Sequence, residues 1–326
     1  MIKNEFKKVL ILRFGAIGDI VHTTALFRSL KNYDPEMKIH YITFKAPSLL
    51  IENDPDLQKV HVLEGKTYKH LINLAKELRK EHFDVFINLQ PSIKTKIFGL
   101  ILGAKKTLAY KKTFKLHAVK NFWKTAKPLF KGIILPDEIK IYLQEAAKEK
   151  AKSLIQTNKQ LIGFNIGTSL RRQGRKYPLE HWKVLTKKLI EKYNCKIVLT
   201  GSNEDAEEAE KLLNISPEIV SFCGKLSLTE SAAILQRCDL VISGDTGPLH
   251  IATAVGTKVI GLYGSAPISR TGPYGKNHIA LKSDMECIPC NRRKCKFLKK
   301  GEQYTPCLLN LSPAKILSVI DNIFRS

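Results

Sequence analysis

The 326-residue sequence predicts an α/β fold made of two doubly wound parallel-sheet units in tandem. Three observations predict it. Short apolar runs alternate with stretches of helical periodicity almost from end to end, which is the pattern of strands joined by crossover helices. The runs are continuously apolar, as strands covered on both faces require. After a charged helical stretch at 137–156 the pattern restarts with a strand and a glycine, "LIGFNIG". The boundary is therefore expected between residues 145 and 158, giving units 1–155 and 156–326.

The first unit opens with the apolar run 9–12, the turn "FGAIGD", and then Ile20, Val21, Leu26, Phe27 and Leu30 at helical spacing. Asp19 falls where this helix begins, so one reading makes it an N-cap. Further strand runs lie at 38–44 and 84–89, and in the second unit at 161–166, 196–200, 240–243 and 258–263. The segment 287–307 is cysteine-rich and irregular, and a last helix over 313–324 is expected to follow it, free to pack back on the first unit. Sheets of this kind bind ligands at the carboxyl ends of their strands.

A content of 44% hydrophobic and 26% charged residues is that of packed globular cores. There is no uninterrupted apolar run of about 18 residues and no secretory leader, so the expected compartment is the cytoplasm. The 54 basic against 30 acidic side chains leave a formal charge of +24, which attracts nucleic acid, anionic membrane or phosphorylated substrates. No acidic residue stands between Asp84 and Asp137, where Lys94, Lys96, Lys105, Lys106, Lys111, Lys112, Lys115, Lys120, Lys124, Lys127 and Lys131 fall. Phe114, Phe122, Trp123 and Phe130 are interleaved with them. The mixture suits a phospholipid interface or a lipid-linked anion, and equally a solvated lysine face.

The richest chemistry lies in "CDLVISGDTGPLHIATAVGTKVIGLYG", a strand followed by Gly244, Asp245, Thr246 and Gly247 and then a helix. Glycines let backbone approach a ligand, and the unpaired N–H groups of a helix start bind phosphate oxygens, so the stretch reads as a diphosphate cradle. Asp245 is an acceptor for sugar hydroxyls or a cap, and His250 a ligand contact or a satisfied buried histidine. With no acidic cluster to hold magnesium, a diphosphate leaving group is neutralised by cations and N–H groups. The candidates are in "NIGTSLRRQGRKYPLEHW": Thr168 and Ser169 as hydroxyl donors, Arg175 or Lys176 as the cation. Cys287, Cys290, Cys295 and Cys307 have the spacing C-x2-C-x4-C-x11-C, open to a structural zinc or to thiols that pack or pair. Cys195, Cys223 and Cys238 sit in or beside strand-like runs and are expected to be buried packing groups.

"GDTGPLHIATAVGTKVIGLYGSAPISRTGPYG" closely resembles the donor-binding motif of the glycosyltransferase family that contains the lipopolysaccharide heptosyltransferases, and "RFGAIGDIVHTTAL" resembles that family's amino-terminal motif. The two stand in the right order, one per unit. The resemblance implies a GT-B fold, in which two Rossmann-like domains face each other across a cleft, the first binding acceptor and the second sugar nucleotide. It implies that Asp19, flanked by Gly15 and Gly18, is the general base, and that a hydroxyl pair and a basic residue precede Tyr177–Pro178. The loop here is longer and more basic than the family's pattern, with Arg171, Arg172, Arg175 and Lys176. The activity implied is inverting, metal-independent transfer of heptose from ADP-heptose to a Kdo or heptose of the lipopolysaccharide inner core, with no cofactor for catalysis beyond a structural zinc. It places the protein peripherally on the cytoplasmic face of the inner membrane, with no nucleic-acid partner. A sugar-nucleotide epimerase of the same fold and a basic nucleic-acid-binding protein are the alternatives.

Overall fold

The computed structural model describes residues 5–65, 67–168 and 173–325, with only the backbone of Gln173. The chain divides into a first unit, 1–143, and a second, 144–326.

In the first unit the strands are β1 (Lys8–Leu12), β2 (Lys38–Thr43), β3 (Lys59–Val62), β4 (Val85–Asn88) and β5 (Lys106–Ala109), in the order β3-β2-β1-β4-β5 and all parallel. Successive strand residues point to opposite faces, so Leu10 and Leu12 pack with Phe86 against the helices Tyr68–Arg79 and Ile93–Leu102. Val9 and Ile11 serve the other face. There the helices Ile17–Tyr33 and Ala118–Ala126 pack on one another. The first of these helices buries ten residues between Ile20 and Leu30, the polar His22, Thr23, Thr24 and Ser29 among them, so it is covered almost all the way round.

The second unit carries β6 (Leu161–Asn165), β7 (Lys196–Thr200), β8 (Ile219–Ser221), β9 (Leu240–Gly244), β10 (Val259–Tyr263) and β11 (Ile279–Lys282), in the parallel order β11-β10-β9-β6-β7-β8. Phe164 lies between Leu199 and Ile242 and its ring sits 4.6 Å from that of Trp182, in a core that includes Leu185 and Leu189.

Two expectations about organisation change. The boundary moves from 155/156 to 143/144, because the helix Glu145–Leu154 packs on the helix Leu228–Arg237. Arg237 donates to the carbonyls of Ala151 and Ile155, at 2.5 and 2.6 Å, and Lys150 pairs with Glu230 at 2.6 Å. The last helix, Pro313–Arg325, packs on the helix Leu179–Tyr193 within the second unit. Its Ile316 and Ile320 enter that unit's core, Phe324 meets the Tyr193 ring, and Asp321 pairs with Lys192 at 2.6 Å. An i, i+4 apolar stripe finds its complement on that neighbouring helix.

Candidate functional site

In each sheet the strand order reverses at one point, between β1 and β4 in the first unit and between β6 and β9 in the second. In each unit the candidate residues lie on the segments that leave the carboxyl ends of the strands at that unit's own switch point, where open parallel sheets bind ligands.

In the first unit the chain leaves β1 through Arg13 and Phe14 and turns at Gly15, whose φ of +157° favours a residue without a side chain. Helix Ile17–Tyr33 then begins on Ala16, which makes no side-chain cap. Gly18 and Asp19 lie in its first turn, so Asp19 is three residues past the cap and the capping reading falls. Its Oδ2 instead accepts a hydrogen bond from Nη2 of Arg13, in an ion pair. Nη1 of Arg13 donates to the carbonyl of Leu89 at 2.7 Å, and the guanidinium lies 5.3 Å from the centre of the Phe122 ring. Among the described residues Oδ1 of Asp19 has no partner, and the side chain keeps 29% exposure. The result is a half-open carboxylate held in one orientation by an arginine that is itself anchored to β4. Oε1 of Gln90, the residue after Leu89, and Oη of Tyr110, whose ring lies 4.8 Å from that of Phe122, are buried without a hydrogen-bond partner among the described residues.

In the second unit Gly244 ends β9, and Thr246 is the N-cap position of the helix Gly247–Ala254. The Thr246 hydroxyl does not cap. It bonds Nδ2 of Asn165 at 3.2 Å and Oγ of Ser243 at 3.1 Å, tying the β6 and β9 exits together. The helix start thus has no side-chain cap from Thr246, and Pro248 has no N–H to satisfy, an arrangement suited to an anion. Asp245 is 2% exposed and is not a cap either. Its carboxylate lies 2.6 Å from Nη2 of Arg175, while Nη1 of Arg175 donates to the Asp245 carbonyl at 2.8 Å. His250, also buried, places Nε2 3.7 Å from the same carboxylate, beyond hydrogen-bond reach. Burial and the Asp245 charge together push the phenol of neighbouring Tyr263 well above its ordinary range.

The structure separates the two candidate cations. Arg175 joins Asp245, whereas Lys176 pairs with Glu208 at 2.7 Å, on the helix Ala206–Leu213. Thr168 follows β6, with its hydroxyl buried and unpartnered among the described residues. Ser169, Arg171 and Arg172 lie outside the described residues. Arg13 and Glu208 were missed by the sequence reading. The arginine that opens "RFGAIGD" was a usable signal, six residues ahead of the aspartate, but no local pattern links residue 176 to residue 208.

The lysine segment is also re-sorted. Phe122 and Phe130 are core residues, 1% and 0% exposed, so they are not surface aromatics as expected, while Phe114 is 55% exposed. Lys94 lies over Tyr68, Lys112 over Phe114 and Lys127 over Trp123, each within 5 Å of the ring centre. A groove of about 570 Å³ beside β5 is lined by Lys111, Lys115, Lys124, Thr113 and Asn121. Among the described residues no helix is long and apolar enough to cross a membrane.

Cys195, Cys223 and Cys238 are buried, as expected, and burial pushes the first two thiols up to about 11. Cys287, Cys290 and Cys295 are half-buried and Cys307 is buried, all as free thiols.

Residues 71–300 match the sequence profile of glycosyltransferase family 9 (heptosyltransferase). The chain is 24% identical over 293 aligned positions to the lipopolysaccharide core heptosyltransferase OpsX of Haemophilus influenzae, covering 82% of each chain. A solved structure of a family 9 glycosyl transferase from Veillonella parvula superposes with a TM-score of 0.86 at 21% identity, covering 98% of both chains. That of the E. coli ADP-heptose LPS heptosyltransferase II gives 0.78 at 19% identity, covering 97% of this chain and 98% of that one. The fold is GT-B.

Proposed function

Because the chain belongs to glycosyltransferase family 9, the heptosyltransferases, we propose that it transfers a heptose from ADP-heptose to the inner core of lipopolysaccharide, with Kdo or a heptose as acceptor sugar. A similar protein carries the name lipopolysaccharide core heptosyltransferase and a structural neighbour is an ADP-heptose enzyme, which supports this substrate pair. In the chain's own geometry the observation that carries the reading is Asp19, ionically held through Oδ2 by Arg13 and open at Oδ1.

In the proposed reaction the acceptor hydroxyl donates its hydrogen bond to Oδ1 of Asp19. Its oxygen attacks the anomeric carbon from the face opposite the diphosphate. The new C–O bond forms as the bond to the β-phosphate oxygen breaks, the proton passes to Asp19, and ADP leaves with the bonding pair. The configuration is inverted. Arg13 orients the carboxylate and does not touch the substrate, so it is a positioning residue. The diphosphate lies on the N–H groups of the helix Gly247–Ala254, with the Thr168 hydroxyl and the Arg175 fork beside it. Asp245 balances part of the Arg175 charge and fixes its direction. In this reading the protein's own groups neutralise the leaving group and no divalent ion is required.

The lysine groove and the exposed Ile93, Leu100 and Phe114 support a peripheral place on the anionic cytoplasmic face of the inner membrane, where lipid-linked acceptor is met. The decisive experiment incubates the full chain with ADP-heptose and a Kdo-bearing lipid acceptor, with and without EDTA, and identifies products by mass spectrometry. The proposal expects a heptose-bearing acceptor and ADP in both arms. Conversion of ADP-heptose to another sugar nucleotide without acceptor points to the epimerase. Loss of transfer with EDTA, while the protein stays folded, overturns the metal-independent step.

A further inference from the structure

The four cysteines of residues 287–307 line one cavity of about 160 Å³, together with Met285, Ile288, Phe297 and Pro306. The other three cysteines of the chain do not line it. We propose that these four thiols form a tetrathiolate metal centre that clamps the cysteine-rich segment onto the end of β10.

Four nucleophilic thiols from a 21-residue stretch, free and gathered on one small apolar-walled space, are the ligand set of a thiophilic metal. Arg292 and Lys296 line the same cavity. Their charges suit the site, because four thiolates around a divalent ion keep two negative charges in excess. The cavity is set into fixed backbone. Gly264 could not be any larger residue, since a Cβ there would lie 2.9 Å from the Cys307 sulfur and 2.6 Å from the Gly174 carbonyl. The N–H of Asn291, between the second and third cysteines, donates to the Ser265 carbonyl at 2.7 Å, and the N–H of Ser265 donates to the Gly174 carbonyl at 3.2 Å. The metal segment thus leans, through Ser265, on the turn that carries Arg175. Among the described residues no three His, Cys, Asp or Glu side chains already stand in ligating positions around one point. Loading therefore turns the thiols inward around a single ion, or fills the space with a larger thiolate-held iron–sulfur cluster. Both are the same ligand chemistry.

The test purifies the full chain under argon without chelator and measures zinc, iron and acid-labile sulfide per chain. If the preparation is metal-free, it is incubated anaerobically with zinc, or with ferrous iron and sulfide, and desalted. One zinc or one iron per chain identifies the single-ion form, and iron with equimolar sulfide the cluster. Either supports the proposal when the content falls at least tenfold in Cys290→Ser with Cys295→Ser and when the native four cysteines resist alkylation until metal is stripped. These two half-buried positions are chosen because serine there leaves the core intact, and circular dichroism checks the fold. No metal bound after reconstitution, metal retained by the double variant, or recovery of the four cysteines as disulfides from the argon preparation overturns the proposal. Zinc or iron analysis does not depend on transferase activity, so its failure is separate from that of the proposed function.

Discussion

Gly244→Ala probes the donor side most directly. A Cβ at this position would lie 2.6 Å from the carbonyl oxygen of Arg175, about 0.8 Å inside the 3.4 Å at which ordinary contact begins. Gly244 does not have positive φ, so the substitution meets no backbone penalty of its own and the overlap is its whole effect. The obstructing atom is backbone and moves only with the turn Gln173–Arg175, which is pinned by Ser265 N–H to the Gly174 carbonyl at 3.2 Å and by Arg175 to the Asp245 carbonyl at 2.8 Å. Overpacking of this kind costs about 1–3 kcal/mol, which at roughly 2–4 °C per kcal/mol is a fall in Tm of about 2–12 °C. A shift of Arg175 approaching 1 Å lowers transfer by about 10²-fold if the guanidinium sits on the leaving group. Thermal unfolding, calorimetric titration with ADP and steady-state transfer are measured on wild type, Gly244→Ala and Arg175→Met. A Gly244→Ala protein with unchanged Tm and unchanged ADP affinity would refute the packing of Arg175 against β9.

On the acceptor side, Asp19→Asn is expected to keep the fold, because Asp19 caps nothing, and to lower kcat by about 10²–10⁴-fold; near-normal turnover at saturating substrates removes it as the base. Arg13→Lys keeps charge but loses the fork that reaches Asp19 and Leu89 together, so kcat should fall at least about tenfold with KM for ADP-heptose unchanged, and a rise in that KM alone would contradict a positioning role. His40 and His61, stacked with Nδ1 and Nε2 3.0 Å apart, are lowered from 6.5 to about 4, mainly by burial, with nearby lysines adding to it and, for His61, His40 as well. The unfolded chain therefore binds more protons between about pH 4 and 6.5, so this pair's stability is full above 6.5 and lost toward 4 at up to about 1.4 kcal/mol per pH unit for each ring. Asp54, raised from 3.8 to about 6 by burial, acts with the opposite sign over most of that window. The readout is therefore the difference in urea midpoints between wild type and His61→Leu, and parallel pH profiles would rule the pair out. Reversal of Lys111, Lys112, Lys115 and Lys120 to Glu should weaken low-salt co-sedimentation with anionic vesicles at about 1 kcal/mol per lysine near the surface, with ADP affinity unchanged; undiminished binding makes the segment a solvated face.

The interior of each sheet was legible in the sequence, and its edges were not. The runs read as strands became β1, β2, β4, β6, β7, β9 and β10, every interior strand among the described residues, because burial on both faces demands an uninterrupted apolar run. The four overlooked strands, "KVHV", "KTLA", "IVS" and "IALK", are the four edges. They are short, and several carry lysine where solvent meets the sheet, so they leave little periodic signal. The glycine-aspartate turns were equally legible, since a strand, a glycine turn and a helix start are contiguous in sequence and their anion-binding backbone follows from local geometry. What Asp19 and Asp245 do there was not. Each was open to a capping reading beside a functional one, and only the tertiary structure turned each toward an arginine, one six residues away and the other seventy. The same holds for Lys176, drawn to Glu208, and for Phe122 and Phe130, whose place in the core no run of neighbouring lysines revealed. The assignment of helix Glu145–Leu154 to the second unit belongs here too, because a boundary is set by which surface a helix covers. The sequence determined the elements whose signal is local periodicity or turn chemistry. Ion pairs, burial of isolated aromatics and unit boundaries depend on which distant segments the folded chain brings within a few ångströms, and those only the tertiary structure decided.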